Sequence, residues 1–238
     1  ALRLVGSEMC IRDSQNTMLQ MRNSKLPVIA APVGMSIGGG FEVVLHADHV
    51  VSHANSVMGL VESFVGVVPA GGGCKETLYR WTEKLEDSKK GAWKAFMNIG
   101  LGRKANSPQE ADGLSMRRPD DVFHMNRDRI LNIALSSLDD TKKAGKRKPL
   151  ALSGNEQFQE MLEWLEVNHN KGMLTPHDVT VGTEIGRIMS GGECSAGTIF
   201  TEQEILNAER SSFITLAQTQ ETQARIVSML DNGITLRN

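Results

Sequence analysis

Residues 25–73 read KLPVIAAPVGMSIGGGFEVVLHADHVVSHANSVMGLVESFVGVVPAGGG. The opening KLPVIAAPV is a short apolar run rich in β-branched residues and predicts a buried strand. GMSIGGG, residues 34–40, is a glycine-dense turn. From Gly39 to Asp48 the apolar residues Phe41, Val44, Leu45 and Ala47 follow a helical spacing. The unit is therefore strand, glycine turn, helix. A second short strand is predicted around residues 49–52, followed by a loop holding Gly66, Pro69 and Gly71 to Gly73, and a helix from about Cys74.

Three kinds of chemistry could sit on this unit. Gly38, Gly39 and Gly40 precede a helix, where bare N–H groups favour negative charge and glycine admits close approach of a ligand atom. Such a turn can hold a phosphate or a developing oxyanion, or can simply be tight. Glu42 and Glu62 lie twenty residues apart in apolar surroundings. If buried, their pKa values rise toward the range useful for proton transfer; if not, they are solvated surface carboxylates. GMSIG also matches G-x-S-x-G between a strand and a helix, which would make Ser36 the nucleophile of a serine hydrolase. The acid and histidine of a triad do not follow in the order that reading needs, since His177 precedes Asp178. His46, His49 and His53 straddle a helix end and a strand and predict packing or surface residues rather than a metal site.

Outward from this unit, the 238-residue chain carries a net charge of −2 and 40% hydrophobic residues. That is enough for a core, with no broad electrostatic pull toward nucleic acid or membrane. No apolar run reaches the length of a membrane span. Cys10, Cys74 and Cys194 are isolated and suggest a reducing, cytoplasmic setting. Ser107, Pro108 and Glu110 predict a capping box with proline at the first helical position, and Thr201 with Glu204 a second one. Residues 142–152, KKAGKRKPLAL, read as a solvated basic linker and place a boundary near residue 150. Beyond it, four helices are predicted around residues 156–168, 176–190, 202–217 and 221–232, with Gly191 and Gly233 at C-caps. Trp81, Trp93 and Trp164 fall on amphipathic helices as core or interface anchors.

The start of the chain, LVGSEMCIRDS at residues 4–14, has neither a clean period nor turn logic. Back-translated, it resembles the end sequence of a transposase-based sequencing adaptor, so the protein's own sequence is expected from about Gln15 and to extend further upstream.

Taken together, residues 25–73 resemble the crotonase (enoyl-CoA hydratase) superfamily. They carry the strand with P-V-I-A-A, the G-x-x-x-G-G-G-x-E turn, the A-x-D after the helix, the second glutamate and G-x-x-P-x-x-G-G. Leu26, Ser36 and Val61 depart from the family's usual residues, and none of them is a reacting group. The resemblance implies an α/β fold: a crotonase-like ββα superhelix lacking its N-terminal half over residues 15–145, with an all-helical C-terminal appendage at 146–238. It implies Gly38, Gly39 and Gly40 as the oxyanion and substrate-binding turn, with Gly39 giving one N–H, and Glu42 and Glu62 as the catalytic carboxylates. Glu42 would activate water and Glu62 would donate the proton. The implied reaction is hydration of a trans-2-enoyl-CoA in fatty-acid β-oxidation. The second oxyanion donor and much of the adenine pocket would lie upstream, so this piece alone is expected to be inactive. The C-terminal helices resemble the ends of 3-hydroxyacyl-CoA dehydrogenases, which implies a bifunctional parent using NAD. No dinucleotide fingerprint occurs in this chain, so no cofactor is expected to bind here. The enoyl-CoA thioester is the expected partner, with oligomeric state left open to a homo-oligomer. The reading from a different class is a non-catalytic assembly module that keeps a crotonase remnant.

Overall fold

Pro27 and Pro32 bracket the first apolar run, and a proline can give no ladder N–H. The strand expected over residues 25–33 is accordingly cut to β1 (Ile29–Ala30) in the computed structural model, which describes residues 6–238. Of the expected adaptor-derived segment, residues 1–5 lie outside the described residues. The helix α1 (Ser7–Arg22) precedes β1 and buries Gln15, Met18 and Arg22.

The glycine unit forms as β2 (Met35–Ile37), α2 (Gly39–His46), β3 (His49–His53) and β4 (Val57–Gly59). β1, β3 and β6 (Val122–His124) make one parallel sheet, with Ile29 opposite His49 and Val51 opposite Val122. β2 pairs parallel with β4, placing Ser36 opposite Met58, and β4 pairs antiparallel with β5 (Lys104–Ala105). A 3-10 turn, Glu62–Val65, leads to α3 (Gly73–Leu85) and α4 (Ser88–Gly100). Two short helices, α5 (Pro108–Gly113) and α6 (Ile130–Ser136), flank β6. Ser107 caps α5, but Glu110 reaches the Asn106 N–H at 2.7 Å instead of that of Ser107, so the expected box closes on one side only.

The C-terminal region holds α7 (Asn155–Asn170), α8 (Pro176–Ser190), α9 (Glu202–Ala217) and α10 (Gln220–Asn232), close to the expected helices. Thr201 and Glu204 form a reciprocal capping box, and Gly191 and Gly233 take the left-handed C-cap conformation. The region is not purely helical, because β7 (Leu150–Ala151) pairs antiparallel with β8 (Ile199–Phe200). Nor is it an appendage: one apolar core runs from Phe41, Leu78 and Phe96 to Met161, Ile185, Ile205 and Leu216. Trp81 is buried in it, while Trp93 and Trp164 pack at its edge. No helix among the described residues is long and apolar enough to cross a membrane.

The basic segment 142–148 is a solvated loop only in part: Lys142, Lys146 and Lys148 are exposed, while Lys143 and Arg147 turn to buried acids. Glu76 on α3 is fully buried and receives Arg147 at 2.7 Å, Lys75 at 3.1 Å and Arg22 at 3.4 Å. Burial would raise this carboxyl, but Arg147, Lys75 and Arg22 outweigh it and hold it well below the usual carboxylate range. Lys143 and the Ala144 N–H bind the two oxygens of the buried Asp48, and Tyr79 donates to the Lys148 carbonyl. A buried carboxylate must be neutralised, and the basic segment supplies the charge.

Candidate active site

The site is built on the two glycine turns that α2 and α3 grow from. Gly38 is the N-cap of α2 with φ +56°, and its own N–H donates to the Gly59 carbonyl at 2.9 Å. The Gly38 N–H is thus spent on the sheet. The N–H groups of Gly39 and Gly40 have no acceptor among the described residues, and both residues are exposed. They are the orphan donors that a helix start leaves, and they remain available to a developing oxyanion.

The two carboxylates flank consecutive residues of that turn. A Cβ on Gly38 would lie 3.3 Å from Glu62 Oε1, and a Cβ on Gly39 would lie 4.0 Å from Glu42 Oε2. Glu42 is buried on the first turn of α2. Its Oε1 accepts two hydrogen bonds at 2.8 Å, from the N–H groups of Gly71 and Gly73. Burial pushes its pKa up, while those two N–H groups and Lys75 work against the rise. Glu62 opens the 3-10 turn, and its Oε2 is cut off from water without a partner. Burial, then the charge of Glu42, push its pKa from the ordinary 4.5 up to about 8. Of the two acids, Glu62 is thereby suited to hold a proton near neutrality.

A carboxyl whose pKa is raised on folding binds protons that the unfolded chain releases. Between pH 4.5 and about 8 the folded state keeps the Glu62 proton, so this group costs stability progressively as pH rises through that window. Glu62→Gln is expected to flatten that slope, with thermal melts showing its largest gain over the parent at the alkaline end.

The second turn has the tightest packing. A Cβ on Gly71 would lie 2.5 Å from Glu42 Oε2, and Gly72 takes φ +107° against the His46 ring. Gly71→Ala is expected to destabilise by about 1–3 kcal/mol, which in a chain this size is a fall in Tm of roughly 2–12 °C. His46, held to about 4 by burial, is a neutral imidazole. Its Nδ1 donates to the Glu42 carbonyl at 2.7 Å and its Nε2 accepts from Lys75 Nζ at 2.9 Å. His49 faces Asp121 at 3.6 Å, and His53 binds the Met125 carbonyl at 3.0 Å. Ser36 lies within β2 rather than on a strained elbow and makes no side-chain hydrogen bond among the described residues, which leaves the hydrolase reading without a triad. An apolar cavity of about 410 Å³ lies beyond the Glu62 turn, between Phe64, Phe96, Trp164 and Val181. Neither Glu42 nor Glu62 lines it, so the site is defined by its chemistry rather than by a cavity.

The α/β frame that carries this site is shared with solved structures of the crotonase fold. An enoyl-CoA hydratase from Rhodobacter sphaeroides 2.4.1 superimposes with a TM-score of 0.64 at 17% identity, covering 100% of this chain and 71% of that one. One from Mycobacterium avium gives 0.55 at 15% identity, covering 96% and 69%. In sequence, residues 7–85 match the family described as Enoyl-CoA hydratase/isomerase. A Bacillus subtilis (strain 168) protein named "Probable 3-hydroxyacyl-CoA dehydrogenase" is 32% identical over 232 residues, which is 96% of this chain. The chain spans 29% of that relative's length.

Proposed function

We propose that the intact protein adds water across the double bond of a trans-2-enoyl-CoA to give a 3-hydroxyacyl-CoA, as a step of fatty-acid β-oxidation. The observation that carries this is the unequal pair: Glu42 held by two N–H groups and Glu62 holding the proton, on either side of the free Gly39 and Gly40 N–H groups. Water attacks C3 while Glu42 takes one of its protons. The C2=C3 electrons move toward the thioester carbonyl, whose oxygen gains negative charge. An N–H of the Gly39–Gly40 turn stabilises that oxygen, a contribution of about 3–4 kcal/mol in comparable oxyanion sites. C2 then takes the Glu62 proton, and the product dissociates with the extra proton on Glu42, to be returned to Glu62 through solvent.

The name of the Bacillus subtilis relative supports a second step in the same polypeptide, oxidation of the new 3-hydroxyl group by an NAD-dependent dehydrogenase outside this chain. We further propose that the second oxyanion donor is supplied from outside residues 1–238, so that these residues alone are inactive. A cytoplasmic location fits three cysteines with no disulfide among the described residues. Activity of the intact protein is expected to fall as pH rises past about 8, where Glu62 loses the proton it must donate. Steady-state hydration of 2-enoyl-CoA across pH tests this, and activity still climbing well above that pH would refute the role given to Glu62.

A further inference from the structure

The first turn of α3 holds two carboxylates, and the hydration mechanism uses only one of them. The N–H groups of Gly71 and Gly73 face Glu42. Those of Gly72 and Lys75 face the other way, toward Glu209 on α9, whose Oε1 accepts from Lys75 at 2.5 Å. Glu209 is fully buried, and its Oε2 has no partner among the described residues. Cys74, also fully buried, lies between the two acids.

Two negative charges cannot share one dry helix N-terminus, so one acid must keep its proton. Glu42 has two N–H donors on a single oxygen. Glu209 would have to ionise with a bare oxygen in the core, which is the costlier choice. Burial and the Glu42 charge both push the Glu209 carboxyl well above its ordinary range. The charged groups that face Glu209 are Glu42 on α2 and Lys75 on α3. The Lys75 ammonium is already committed to Glu202, Glu76 and His46. Elsewhere on α9, Glu184 of α8 binds Ser212, and Glu8 of α1 pairs with Arg210.

We propose that Glu209 is a positioning residue for Glu42: as a neutral acid it occupies the back of the glycine turn, fixes the Gly71–Lys75 backbone and leaves Glu42 the only negative charge held by the N–H groups of that turn. The C-terminal helices would thus complete the active site. The kinetic part rests on Glu42 acting as the base; the protonation part does not.

Infrared difference spectra of the intact protein near neutral pH test the protonation directly. Glu209→Gln is expected to remove one protonated-carboxyl C=O band, and Glu42→Gln to move the loss of that band at least one pH unit lower. A Glu209→Gln spectrum with every protonated-carboxyl band retained would overturn the proposal. In turnover, Glu209→Ala is expected to lower kcat at least about tenfold with KM little changed, and Glu209→Gln to restore most of it. Unchanged kcat in Glu209→Ala would remove the positioning role. If the intact protein hydrates no enoyl-CoA, the functional reading fails, while the infrared result still decides the state of Glu209.

Discussion

Glu62→Gln in the intact protein is expected to lower kcat for hydration by about 100- to 10,000-fold while leaving acyl-CoA affinity within a few fold. Glutamine keeps the shape of the side chain and removes the proton that must reach C2. It also removes the acid whose pKa burial and Glu42 raise to about 8. In the proposed reaction the free Gly39 and Gly40 N–H groups hold the thioester oxygen, and the substitution does not touch them. Pre-steady-state kinetics beside a binding isotherm separate the two effects. Near-normal turnover in this variant would show that proton delivery comes from elsewhere.

The largest loss of stability is expected from Glu76→Ala. This carboxylate takes Arg147 at 2.7 Å, Lys75 at 3.1 Å and Arg22 at 3.4 Å, all with little or no exposed side chain. Deleting it leaves three buried cations without their common partner, a change that costs about 3–5 kcal/mol in buried ion networks. In a chain of this size that is a fall in Tm of roughly 6–20 °C. A melt lowered by no more than a degree or two would mean that the cations find other partners or water. Because Lys75 Nζ also binds His46 and Glu202, turnover is expected to fall with the melt.

Local signals made much of this legible in the sequence. The glycine turn, Glu42 and Glu62 lie in one stretch, and their spacing specifies strand, turn and helix. Thr201 with Glu204, and the glycines at 191 and 233, mark the ends of C-terminal helices because caps are made by neighbours in sequence. The box of Thr175 and Asp178 was equally visible in its spacing and was missed. What could not be read is long-range. Glu209 meets Lys75 from 134 residues away. Arg147 meets Glu76 from 71 residues away. A basic run looks solvated until the fold supplies the buried acid that needs it. β1 is shorter than its apolar content predicts because Pro27 and Pro32 on either side limit pairing.

The most direct test of the central claim is to mix a trans-2-enoyl-CoA with the intact protein in D2O and read the product by NMR. The account predicts 3-hydroxyacyl-CoA carrying one deuterium at C2, delivered from Glu62 after exchange with solvent, and none of that product from Glu62→Gln on the same timescale. Release of free CoA, or no addition product from the parent protein, would contradict it.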